Sequence, residues 1–189
     1  MGMILSSGYD WPVGYRIIGI IQVILTTIIF ISLPLWTAKE QGMKLEYNSD
    51  ILSIYLAFIS LGLPDAILGS AWPNMYRSLN STITGAGSIF LIISVCTIIS
   101  SLNADRVIHK FSTARVTAVS VGLTDLSLFG FSFCQEYWQL CLWAIPYGLG
   151  AGAVDSALNN YVALHFSSKH LSWLHCMWGI GASIGPYIM

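Results

Sequence analysis

An all-α integral membrane fold with six transmembrane helices is predicted by three observations. The chain of 189 residues is 55% hydrophobic and only 9% charged, with a mean hydropathy of +0.69. Soluble domains carry about 25% charged residues. The apolar residues fall into six runs near the length that crosses a bilayer, about 20 residues each. Carboxylates then stand inside three of those runs, and two of them, Asp65 and Asp155, are the candidates for a solute or proton path. An ionisable group at membrane depth is costly and faces a cavity or a partner.

The six predicted spans follow in order. The first covers 13–36 and ends at Pro34 and a polar stretch, and the second covers 49–76. The third covers 82–102 and the fourth 113–134. The fifth, 137–166, is long and contains Pro146, which predicts a kink or tilt. The sixth, 171–189, runs to the last residue with no polar tail. No cleavable signal peptide is legible at the start, because residues 1–8 lack a basic region and are too short for an apolar one.

Charge placement predicts orientation. Lys39, Lys44, Arg106, Lys110, Arg115 and Lys169 fall in three connections on one side if the spans alternate. Arg16 and Arg77 fall on the other. Basic loops stay in the cytoplasm, so an inner (plasma) membrane location with those three connections inside is expected. A net charge of −1 gives nucleic-acid binding no electrostatic basis. The four cysteines lie in apolar runs without metal spacing and read as buried small residues. No phosphate loop, nucleophile elbow or HExxH metal motif is present, so an enzyme is not expected, and neither is a cofactor.

Residues three and four apart share a helix face. Phe58, Gly62, Asp65, Gly69, Trp72 and Tyr76 form one such stripe. A carboxylate can bond sugar hydroxyls, and an aromatic face can stack on a pyranose. The competing reading is a small-residue packing seam, with Trp72 and Tyr76 as interfacial anchors. Gly148, Gly152, Asp155 and Asn159 form a second stripe, with Asn160 adjacent. In the last span His175 and Trp178 stand on neighbouring faces, and His175 is a candidate proton relay or the cap of a polar network. Asp125, inside the fourth span, reads as a paired structural acid or one that faces a cavity, with the first favoured.

Three stretches carry a resemblance to a known family: 58–73, 101–110, and 143–163 together with 174–186. They resemble the first five helices of the major facilitator superfamily, in its fucose-permease-like, sugar-transporting branch. The stretch Ser101-Leu-Asn-Ala-Asp-Arg-Val-Ile-His-Lys110 resembles the family's loop G-x-x-x-D-R-x-G-R-K. Ser101 and Ile108 replace its glycines, so only Asp105, Arg106 and Lys110 carry over. The resemblance implies that Asp65 and Asp155 bind substrate and carry protons.

The order of the pieces is permuted. Residues 1–36 resemble the end of the family's helix five plus helix six, 37–49 read as a cytoplasmic linker, and 50–189 resemble helices one to five. Joining Met189 to Gly2 regenerates a continuous helix five. The chain is therefore expected to be one permuted six-helix half of a transporter. The implied activity is proton-coupled uptake of a sugar or other neutral hydrophilic solute. It would act as a homodimer or with a missing second half. The alternative is an engineered scaffold that moves nothing.

Overall fold

The computed structural model describes residues 2–40 and 47–189, and the structure is all helix apart from turns among them. In chain order the helices are α1 (Met3–Ser6), α2 (Trp11–Glu40), α3 (Tyr47–Asp65), α4 (Ile67–Ser78), α5 (Gly85–Phe111), α6 (Thr113–Ser132), α7 (Tyr137–His165) and α8 (Ser168–Ile188). Each expected span has its helix. Trp11–Ser32, Ile51–Ser78 and Gly85–Phe111 are long and apolar enough by themselves to cross a membrane. The remaining three are diluted with Ser, Thr, Gly and Asn, which serve packing against neighbours. The middle of the expected linker, 41–46, lies outside the described residues.

Two differences from expectation have local causes. The second span is two helices, α3 and α4, meeting at Ala66. Pro64 has no N–H to bond the carbonyl one turn back, and the helix restarts at Ile67. Asp65 is thus the last residue of α3. The expected loop at 103–115 is mostly helix, since α5 continues through Asp105, Arg106 and Lys110 to Phe111. With Ser101 and Ile108 in place of glycines, nothing there stops a helix. The turn shrinks to Ser112, whose φ of 70° and ψ of 152° is a conformation that favours glycine.

Two parallel helix pairs set the architecture. In the first, Gly148 and Gly152 of α7 lie against the carbonyls of Ile93 and Thr97 of α5. A Cβ on Gly152 would stand 2.5 Å from the Thr97 oxygen. Three hydroxyls of α5 close that seam by donating to α7 carbonyls: Thr97 to Gly148 at 3.2 Å, Ser100 to Leu149 at 2.6 Å and Ser101 to Gly152 at 3.3 Å. In the second pair, Gly181 and Gly185 of α8 lie against the carbonyls of Ile59 and Leu63 of α3, and Gly62 returns the contact at Trp178. Backbones approach this closely only where side chains are absent.

Helices α6 and α2 join the pairs. Gly130 and Gly150 seat the α6–α7 contact on Trp143 and Thr124. Thr26 of α2 donates to Asp125 of α6 at 2.6 Å in the buried α2–α6 seam. Two apolar cores result. One, around Trp11, Tyr15, Trp72, Met75 and Phe131, lies toward the α4–α5 and α6–α7 turns. The other, around Ile54, Phe58, Leu158, Tyr161 and Leu174, lies toward the α7–α8 turn.

Helix α1 abuts the end of α8. The Leu5 N–H donates to the Met189 carbonyl at 2.9 Å, and Gly2 lies against the Met189 backbone. If Gly2 is counted as the residue after Met189, the Leu5 bond has the i→i−4 spacing of an α-helix. The Met189 side chain is fully buried against Gly14.

Candidate functional site

The broken second span places a carboxylate at the centre of the bundle. Asp65 ends α3, and its two oxygens serve two other helices. Tyr147 of α7 donates its hydroxyl to Oδ1 at 2.6 Å, and Trp178 of α8 donates its indole N–H to Oδ2 at 2.7 Å. The acid therefore ties α7 to α8, whose own mutual contact is slight.

Asp65 stands on the wall of a cleft of about 470 Å³ among α3, α5, α7 and α8. Asp155, His175 and Trp178 line the same cleft, with Ser94 and Thr97 of α5 opposite. Asp155 accepts from the Asn159 side-chain amide at 3.0 Å, one turn further along α7. The His175 ring meets the Phe58 ring edge-on at 6.2 Å between centroids. The cleft thus gathers two acids, an imidazole, an indole and two hydroxyls over an otherwise apolar lining. A carboxylate offers about four acceptor sites. Asp65 uses two and Asp155 one on the hydrogen bonds described, which leaves capacity for a ligand rich in hydroxyl donors.

Of the residues singled out from sequence, Asp65, Asp155, His175 and Trp178 come together at the cleft, and Asn159 supports Asp155. Asn160 is exposed and outside it. Trp72 is buried midway along α4, where its indole donates to the Ile83 carbonyl at 2.8 Å and its ring packs edge-on against Tyr137. The bend at Ala66 swings the expected stripe apart, so Gly69 faces open space and Gly62 faces α8. Asp105, Arg106 and Lys110 sit on the exposed last turns of α5, where Asp105 pairs with His109 at 3.4 Å and Lys110 lies over the Phe111 ring. All four cysteines are free thiols, and Cys176 is exposed where burial was expected.

Tyr147 was missed from sequence. A signal was available: it lies eight residues before Asp155, close to two helical turns, and so shares its face. Ser94 and Thr97 carried none, because serine and threonine are common throughout the spans.

Comparison with known proteins bears on this arrangement. The Major Facilitator Superfamily profile matches residues 54–189. The chain is 24% identical over 138 residues to the glucose/mannose transporter GlcP of Bacillus subtilis (strain 168), covering 71% of this chain and 34% of that protein. It is 22% identical over 135 residues to the human sodium-dependent glucose transporter 1, covering 70% of this chain and 26% of that protein. The rat protein of the same name is 22% identical over 156 residues, covering 80% and 32%. The chain spans about a third of the length of these relatives. No solved structure gives a significant match. A family profile over most of the chain and apolar helices in a bundle lead to one conclusion: the chain is an integral membrane protein of the Major Facilitator Superfamily, a family of transporters rather than enzymes.

Proposed function

We propose that the chain is one six-helix half of a secondary transporter that moves a sugar by proton coupling, with its helices joined in permuted order. Residues 1–36 stand for the end of the family's fifth helix and its sixth, 37–49 form the join, and 50–189 stand for helices one to five. The carrying observation is the carboxylate of Asp65, held by Tyr147 and Trp178 on the wall of a cleft that also holds Asp155. The helical spacing of the Leu5–Met189 bond supports the permuted order.

Major facilitator halves bind substrate near the bilayer midplane at the interface between repeats, and rock to alternate access. One half supplies one wall, so the working unit is a homodimer or this half with a second one. The relatives named for glucose and mannose support a hexose as solute. In this reading Asp65 and Asp155 accept sugar hydroxyls, one of them carries the proton, His175 relays it, and Trp178 stacks on the sugar face. The protein lies in the plasma membrane with the α5–α6 and α7–α8 turns in the cytoplasm, in keeping with the basic residues there.

A second reading, sodium coupling, is raised by the mammalian relatives, which are named sodium-dependent glucose transporters. Glucose uptake into proteoliposomes, driven in turn by a pH gradient and by a sodium gradient, separates the two. Accumulation under the pH gradient alone, lost in Asp65→Asn and Asp155→Asn, is the expected result. Accumulation under sodium alone replaces the proton. If neither gradient drives uptake, and both variants bind glucose as the parent does at every pH, the protein is an inert scaffold.

A further inference from the structure

On the opposite side of the α5–α7 pair from the cleft lies a groove of about 730 Å³ between α5 and α6, floored by α7 and closed on one side by Phe30 of α2. Its wall is apolar for a physical reason. Two polar residues of α5 that line it spend a donor on backbone, the Ser100 hydroxyl on the Leu149 carbonyl of α7 and the Asn103 amide on the Ile99 carbonyl of its own helix at 2.8 Å. Among the described residues, no aspartate or glutamate lines it. On α5 the groove runs from Ile99 to Phe111, a rise of about 18 Å. One leaflet is half of the roughly 30 Å hydrocarbon core, so the groove is about one leaflet deep.

One end of the groove is cationic. Arg115, in the first turn of α6, lines it and has no ion pair among the described residues. Lys110 stands over the ring of Phe111, which lines the same end. That end coincides with the termini of α5 and α6, the level at which headgroups meet a helical bundle. The nearby acid, Asp105, is paired to His109 on the exposed face of α5.

We propose that this groove holds an acyl chain of an anionic phospholipid, with its phosphate against Arg115 and Lys110. An apolar slot of leaflet depth fits the chain, and the two cations at one end select the negative headgroup. An arginine adds planar, charge-assisted donors to phosphate oxygens.

The test uses the whole protein in mild detergent, with phosphatidylglycerol and phosphatidylcholine of the same chains as probes. Retained lipid is counted by native mass spectrometry, and melting is followed alongside. The parent is expected to retain phosphatidylglycerol in preference to phosphatidylcholine. Arg115→Gln should lower that retention about fivefold, the effect of one cation near an anionic headgroup, and Arg115→Lys should keep most of it. Val119→Phe, which fills the groove from α6, should lower retention of both lipids, and Leu123→Phe serves if that variant does not fold. Equal retention of the two lipids by the parent would overturn the proposal, as would Arg115→Gln retaining phosphatidylglycerol undiminished. Inorganic phosphate stabilising the protein as much as phosphatidylglycerol would show an anion site without a chain and would also overturn it. So would a second copy protecting Val119 from the lipid.

Discussion

Replacing Gly152 by alanine tests whether close backbone approach holds the bundle. The added methyl would stand 2.5 Å from the Thr97 carbonyl oxygen, 2.9 Å from its Cα and 3.1 Å from the Ser100 Cβ. Two of those atoms are backbone, so no rotamer change relieves the overlap, and α5 must move off α7. Overpacking of this kind costs about 1–3 kcal/mol. The move also stretches the bonds from Thr97, Ser100 and Ser101, each worth about 0.6 kcal/mol in a membrane. Alanine's better helix propensity returns about 0.5–1 kcal/mol. The net loss is about 1–4 kcal/mol, or a melting point lower by about 3–12 °C for a domain of this size. Gly179→Ala is the control, since nothing lies within 4 Å of the added methyl. It should gain about 0.5–1 kcal/mol from propensity alone. Both melts are read by scanning fluorimetry in detergent. The reasoning fails if Gly152→Ala melts with the parent or with the Gly179 control. Because Thr97 and Asp155 line the cleft, the same substitution should also weaken the glucose binding proposed for it.

Three further outcomes are expected. Tyr147→Phe removes the donor to Asp65 and should cost about 1.5–3 kcal/mol, with a coupling to Asp65→Asn of about 1 kcal/mol or more in a double-mutant cycle; zero coupling would mean the two groups do not share a bond. Ser112→Gly relieves a left-handed residue worth about 1–3 kcal/mol of strain against about 0.5–1 kcal/mol of glycine entropy, so the melting point should rise by a few degrees, and a fall would contradict the turn geometry. In a cysteine-free background, Lys110→Cys and Asn80→Cys should label from opposite membrane faces, and labelling from one face would sink the assignment of spans.

Much of the fold was legible because a bilayer leaves the backbone few choices. Each long apolar run had to be a helix, and each one is. What periodicity does not carry is how a helix face meets its neighbours. Asp65 and Trp72 are seven residues apart and share a face on a straight helix, yet Pro64 sends one to the cleft and the other to the far core. Tyr147 was hidden for the related reason that its role depends on a carboxylate 82 residues away in sequence. The helix runs on through Asp105 and Lys110 because Ser101 and Ile108 stand where the family's loop pattern has glycines, and a pattern match alone does not show that loss.

The two glycine seams join helices that are not consecutive in the chain: α5 meets α7 across α6, and α3 meets α8 across four others. The turns that connect the helices carry little of the adhesion. Contact and connectivity are in that sense separate properties of this bundle. The same set of neighbours can be threaded in more than one order, and a different order changes mainly the lengths of the loops to be closed. Each doubling of such a length costs only about 0.6 kcal/mol, less than one misplaced methyl in a seam. A bundle held this way tolerates reshuffling of its connections far better than it tolerates a change of one hydrogen to carbon at Gly152 or Gly181.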